Sequence, residues 1–509
     1  MKKLLPFFII CYVLFLGCDI FIPPDIHEGT PSASADSADM ERKDALALKH
    51  LTVPNVSEDV LASYVMSFIN STTSSETGTS RSIQPSPSVV ITNTTRLTHE
   101  VETGFAETTA DNRSARSVIG SAQIPFYVFT LEDQQTGKTG FALTCVDNRI
   151  GNVLAVVEEG DYDDDNPFFH IFYSQLDAYI EETIRIYNSI TDADIENALD
   201  KRNAARSIAP YLPVTDVGKN PGFVRDYNFE KNILIPAIWD QGSPYNKIVM
   251  AERPLPKVYE EYYYYVTGCG PVAIAIIMAF HEVPKGNSRA PKYTGIEYDW
   301  KKMKDGNDDN AIGVLMYEIG LPENASSTYN IGLTGTADPA KTGKKDASTG
   351  TSNSNVIRCF MNMGYKKPES FKTYNFSGVK SSIDDEKPVM VSGYAIREER
   401  KYIFGISSFS YKSGHYWVID GYRKMKTKYK EKIYGVDLID TEYIYVHCNM
   451  GWGGTSNGWY INELFDARYI NIPWPDQDGD KEIVENRSVD GYEYFYQYKV
   501  LMLINITPK

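Results

Sequence analysis

Cysteine is scarce in this chain: 6 of 509 residues, two of them (Cys11 and Cys18) within the first eighteen positions. The remaining four, Cys145, Cys269, Cys359 and Cys448, are too few to staple a chain of this length into a disulfide scaffold, although the count alone leaves one or two bridges open. Cysteine pairs at zinc spacing, an HExxH helix and a P-loop are all missing, so no metal and no cofactor are expected. Two acidic stretches, 161–165 and 476–482, read as solvated loops, because the glycine of the second is misplaced for an EF-hand. Basic charge is short as well. With 51 Lys and Arg against 67 Asp and Glu the net charge is -16, which argues against nucleic acid as a partner, because phosphate binding needs a basic face. After the N-terminus no run of eighteen apolar residues occurs, and no internal repeat is found.

The N-terminus is different. Lys2 and Lys3 precede an apolar stretch at 4–16, too short to anchor the chain in a bilayer. It closes on Phe15-Leu16-Gly17-Cys18, which resembles a bacterial lipobox with Phe15 in place of the usual Leu. Residues 1–18 are therefore expected to be a lipoprotein signal peptide with Cys18 acylated, and 19–47, with Pro23, Pro24 and Pro31, a flexible tether. The protein would be exported, at the periplasmic or outer cell surface, and would touch membrane through that lipid alone.

A length of 509 residues calls for two or three units. Ser57-Glu58-Asp59 reads as a helix start, followed by Val60, Leu61, Tyr64, Val65 and Phe68 at helical spacing. Residues 70–88 read as a polar loop. Strand character follows at 124–129, 140–145 and 153–157, then a long helix with Phe169, Ile171, Phe172, Leu176, Tyr179 and Ile180 on its apolar side. A basic stretch at 201–206 reads equally as a cleavable linker or as an exposed helix end. Beyond 215 the pattern predicts a helix at 269–281, a Gly/Ser/Thr-rich structureless insertion at 325–354, and strands after 388.

Four constellations carry chemistry. Thr267-Gly268-Cys269-Gly270-Pro271 places a Cys at the start of an apolar helix, where backbone N–H groups and the helix dipole favour thiolate. A buried structural thiol is the bland alternative for that residue taken alone. Gly414-His415-Tyr416 sets a His at the head of a strand that ends in Asp420-Gly421. His281 lies about 18 Å from Cys269 by helical rise, too far to serve as its base. Tyr445-Val446-His447-Cys448-Asn449-Met450-Gly451-Trp452 brings an Asn and a Trp into a Gly-rich turn, where the Asn could accept an imidazole N–H and the Trp could shield that bond. Trp239-Asp240-Gln241-Gly242 offers an amide upstream of the Cys for a developing oxyanion.

The order Gln, Cys, His, Asn, together with WDQGSPYN (239–246), TGCGPVAIAIIMAFH (267–281), GHYWVIDGY (414–422) and HCNMGWGGTSNGWY (447–460), resembles the streptopain family of papain-like cysteine proteases. Residues 140–163 resemble that family's propeptide. The resemblance implies an α+β fold: a papain-like catalytic domain at 215–509 behind an inhibitory α+β prodomain at 48–205. It implies a cysteine endopeptidase made as a zymogen and acting on protein or peptide substrates through a thioester. Cys269 would be nucleophile and His415 base. Gln241 would serve the oxyanion hole, Asn449 and Trp452 would support the His, and His447 would be structural. Met450 stands where the family usually has another Trp. Two other readings use the same residues: an amidase or transferase on cell-wall peptides, and a non-catalytic surface lipoprotein that binds protein.

Mass spectrometry of the mature protein is expected to show an N-terminal Cys18 carrying acyl chains; an unmodified Cys18, or a mature terminus elsewhere near it, would remove the lipid anchor.

Overall fold

The computed structural model describes residues 56–70, 89–105, 118–162 without 148, 149 and 151, five positions between 176 and 184, 223–255 without 233 and 234, 257, 263–330, 345–401, 407–429, 441–465 and 500–509. The signal peptide, the tether, the 71–88 part of the polar loop, the 201–206 linker and the 476–482 acidic stretch lie outside these residues.

Helix α1, Glu58–Asn70, opens on two acidic residues that suit its N-terminal dipole. Leu61, Tyr64, Val65 and Phe68, spaced by three and four, form its buried face. Four N-terminal strands follow: β1 Val89–Phe105, β2 Val118–Asp133, β3 Thr139–Cys145 and β4 Val153–Val157. The strands expected at 124–129, 140–145 and 153–157 fall inside β2, β3 and β4. Strand β1 was not legible, because its run of Thr, Asn and Arg shows no apolar alternation; it is made by pairing along β2 from Val89 to Phe105. Of the helix expected after 165, Leu176, Tyr179, Ile180 and Ile184 are buried, in keeping with the apolar side read from the sequence.

The remainder comprises β5 Phe223–Asn232, α2 Lys247–Glu252, β6 Tyr263–Tyr265, α3 Cys269–His281, α4 Trp300–Lys304, α5 Asp309–Gly320, β7 Thr328–Asn330, β8 Lys345–Gly350, α6 Asn353–Asn362, β9 Lys372–Thr373, α7 Phe376–Asp384, β10 Val389–Lys401, β11 Ser407–Tyr429, β12 Thr441–Asn449, β13 Gly458–Ile461 and β14 Leu501–Leu503. The fold class is α+β, as expected. Its main sheet is antiparallel, in the order β1-β2-β3-β4-β13-β12-β11-β10-β14-β9, and β5 continues the β10 edge of β11 from Gly421 onward.

Two differences from the sequence reading matter. The N-terminal strands do not form a sheet of their own: β4 pairs with β13, Val157 facing Gly458 and Ala155 facing Tyr460, so one sheet and one apolar cluster run through both units. The 325–354 stretch is also ordered at both ends. Its β8 pairs in parallel with β6, and Thr349 donates to the Val266 carbonyl at 3.1 Å, which seats this stretch against the turn before Cys269. Low apolar content hid it, since main-chain pairing and the Thr349 and Thr351 hydroxyls help to seat it.

The seam at β4 has further locks. The Arg423 guanidinium donates to the Phe68 carbonyl at 3.0 Å, satisfying one of the free carbonyls at the end of α1, and stacks on the Phe68 and Trp459 rings. Tyr445 meets the Phe68 ring edge-on at 4.9 Å and donates to the Val153 carbonyl. Burying Phe68 alone stabilises the seam by about 1.5–3 kcal/mol.

Strand β11 alternates from Tyr416 to Ile419. Tyr416 and Val418 enter the cluster built around α3 and α5, whereas Trp417 and Ile419 enter the cluster shared with the N-terminal unit.

A Cβ on Gly458 would run into the Val156 carbonyl. The variant G458A is therefore expected to lose about 1–3 kcal/mol of stability and to expose β4 to limited proteolysis. G295A, where nothing stands within 4 Å, should melt with the unaltered protein.

Candidate active site

Residues 266–268 are buried and deliver Cys269 to the first turn of α3. Gly268 caps that helix at φ 96, a conformation that L side chains rarely adopt, and a Cβ there would stand 2.7 Å from the Thr349 side chain. Pro271 falls in the first turn, where a missing N–H costs no helical bond. The rest of α3 is apolar and buried from Val272 to Ala279, so it is a core helix that reaches the surface only at its two ends. At its far end, the other end of the helix from Cys269, His281 meets the Tyr365 hydroxyl at 3.2 Å, and burial takes its ring down to about 4.

Cys269 is reduced and partly exposed, while Cys145, Cys359 and Cys448 are buried and also reduced. The Cys269 sulfur lies close to the β11 backbone. Burial raises its thiol pKa, and the N–H groups of Tyr416, Gly270 and Cys269 itself act against that rise.

His415 is buried at the position on β11 opposite Gly393, whose missing side chain makes room for the Trp417 ring. Its imidazole stacks on Trp452 at 4.5 Å and lies nearly parallel to Trp417 at 6.2 Å. Its Nε2 sits 3.0 Å from the Met450 carbonyl. Burial lowers the ring pKa to about 4, against a smaller upward pull from that carbonyl. The ring is therefore neutral at neutral pH. A carbonyl only accepts, so the single N–H must be on Nε2, which leaves Nδ1 with a free lone pair.

The acceptor expected from the Asn449 side chain is thus the carbonyl of the next residue. Asn449 ends β12 with its amide turned elsewhere: Nδ2 donates to the Ala237 carbonyl at 3.0 Å, and Oδ1 accepts from Gly451 N–H at 3.2 Å. That N–H and the Met450 carbonyl belong to one planar peptide. Asn449 therefore supports the His415 ring through a peptide unit and not by direct contact. Sequence reasoning missed Met450 because a carbonyl that any residue could present leaves no signal in residue type.

The 239–246 segment lies between these two parts. Thr267 N–H donates to the Gln241 carbonyl at 2.9 Å, and Gly453 N–H to the Trp239 carbonyl at 3.1 Å. Asp240 turns the segment by accepting from the Gln241 and Gly242 N–H groups. The structure thereby brings the backbone of Gln241 to the nucleophile turn and Trp239 to the Trp452 loop.

His447 is a second buried imidazole with a different setting. Its Nδ1 lies 2.6 Å from Asp420 Oδ1, and Asp420 Oδ2 accepts from Ile235 N–H at 2.8 Å. Glu158, on the N-terminal side of the seam, approaches Nε2 from the exposed rim at 3.5 Å. Burial pushes this ring down, but the charge and hydrogen bond of Asp420, then those of Glu158, outweigh it and raise its pKa to about 10. An imidazolium locked to a carboxylate holds strands together and is a poor base. Among the described residues no cluster of His, Cys, Asp and Glu is arranged to hold a metal ion, and no helix is long and apolar enough to cross a membrane.

Residues 239–460 match the model of the Peptidase C10 family. No curated protein matches the chain. Among solved structures, fragment 39–359 of prointerpain A from Prevotella intermedia, a cysteine-to-alanine variant, aligns at 18% identity with a TM-score of 0.40, over 81% of this chain and 100% of that one.

The raised pKa of His447 means that its charged form stabilises the fold fully below the ordinary His value of about 6.5. That contribution declines as pH rises toward about 10. Chemical denaturation between pH 6 and 10 is expected to show stability falling with pH, and H447Q to flatten that slope; an equal slope in both proteins would detach it from His447.

Proposed function

We propose that this chain, a member of the streptopain family of cysteine peptidases through its Peptidase C10 segment at 239–460, is an endopeptidase whose nucleophile is Cys269 and whose base is His415. The observation that carries the roles is the Nε2–Met450 carbonyl bond, because it leaves His415 Nδ1 as the basic atom. In the uncharged resting pair, Nδ1 takes the thiol proton as the sulfur attacks the scissile carbonyl. The tetrahedral oxyanion is received by the Cys269 N–H at the start of α3, with Gln241 as the side-chain donor. The imidazolium, stacked on Trp452, returns the proton to the leaving amine. A thioester forms, and water hydrolyses it by the same proton path in reverse.

In this reading, residues 48–205 are the inhibitory prodomain and 215–509 the catalytic domain. The contacts that support it are those of Glu158, Glu159 and Gly160 with residues 454–457, in the same loop as Trp452. The prodomain is then a zymogen element seated on the catalytic sheet by the β4–β13 pairing. Export as a lipoprotein through Cys18 belongs to the same proposal and accords with an enzyme made inactive until it leaves the cell.

Replacing Cys269 by Ala is expected to reduce casein hydrolysis by at least about 10³-fold with the fold retained. Hydrolysis that survives the substitution in folded protein would sink the assignment.

A further inference from the structure

The Met450 carbonyl can orient His415 only if residue 450 is itself fixed. One side of it is held by Asn449, through Gly451 N–H. The other side is held from a different part of the chain: Met450 N–H donates to Asn457 Oδ1 at 2.8 Å. Asn457 is buried, and its own N–H closes the turn on the Gly454 carbonyl at 3.1 Å. Its carbonyl accepts from Glu158 N–H at 2.9 Å, and the neighbouring Ser456 N–H donates to the Glu159 carbonyl at 2.9 Å. The residues that follow β4 thus grip the turn that carries Asn457 through main-chain bonds.

We propose that Asn457 is a positioning residue for His415, acting through the Met450 backbone. The inference rests on reading Cys269 and His415 as nucleophile and base. Asn457 touches neither of them, and its effect is to keep the Met450 carbonyl where it selects the Nε2–H tautomer. Two amides, Asn449 and Asn457, hold residue 450 from opposite sides. Without Asn457 the 449–450 peptide gains freedom, the carbonyl drifts from Nε2, and the ring is free to turn Nδ1 away from the thiol.

The side chain needed at 457 is one with an oxygen acceptor at the reach of Asn. An Asp supplies it and an Ala does not, which separates positioning from packing. The test starts from the full-length chain and uses two readouts: the rate of Cys269 alkylation by iodoacetamide against pH, followed by peptide mapping so that other thiols do not count, and, after identical proteolytic activation of each variant, kcat and KM for peptide hydrolysis. N457A, with an unchanged circular dichroism spectrum, is expected to lose about 10- to 100-fold in kcat with KM within about twofold. Its alkylation profile should become that of an isolated thiol, rising only at alkaline pH. N457D is expected to stay within about threefold of the unaltered protein in both readouts. Should N457A not fold, N457S, whose hydroxyl is too short to reach Met450 N–H, takes its place. The inference is overturned if N457A or N457S keeps the original kcat and alkylation profile, or if N457D falls as far as they do. Alkylation reads the Cys269–His415 pair without a substrate, so a wrong substrate class leaves this result standing. Peptide hydrolysis that persists in C269A would instead remove the proposed chemistry.

Discussion

From His415 to Arg423 strand β11 is buried on both faces, so each polar side chain there has to find a partner inside the protein. His415 finds the Met450 carbonyl, Asp420 finds His447 and the Ile235 N–H, and Arg423 finds the Phe68 carbonyl. These partners belong to three separate stretches of chain. Satisfying one strand therefore places the Trp452 loop, the 235–241 segment and the N-terminal helix around it. Tyr416, between His415 and Trp417, presents its N–H to the Cys269 sulfur, and that brings the helix start to the same point.

Two buried imidazoles separated by a few strand positions are driven in opposite directions. His415 faces a neutral carbonyl and aromatic rings, so desolvation prevails and its pKa falls to about 4. His447 faces Asp420, and a full negative charge in a dry setting overcomes the same desolvation. Partner type therefore decides which ring can work as a base and which serves as a bolt. The bolt also reaches the N-terminal unit through Glu158, whose carboxyl burial would raise, but which the hydrogen bond and charge of His447, with Arg423 and Lys138, hold below the ordinary range.

Much of the site was legible in the sequence because its parts are short and local. A Gly-Cys-Gly-Pro turn before an apolar run can hardly be anything other than a helix start, and Gly268 carries the positive φ that the turn requires. The helix α1 and strands β2, β3 and β4 showed themselves by apolar periodicity. Strand β1 and the ends of the 325–354 stretch did not, since both are built from main-chain pairing between polar residues, which composition does not record. The direct Asn449–His415 bond failed for a related reason: residue types cannot tell a side-chain oxygen from a backbone oxygen one residue further on.

From the sequence came the order of Gln241, Cys269, His415 and Asn449, which depends on residue types, local turns and spacing, and, through the resemblance that those motifs carry, the α+β class and the expectation that His447 is structural. Tertiary structure decided that the two units share one sheet through β4 and β13, that Met450 presents the acceptor, and that Asn457 steadies it from a turn gripped by the residues that follow β4. Those are matters of backbone register and of hydrogen bonds between remote segments, and a backbone N–H or carbonyl is the same group whichever side chain it carries.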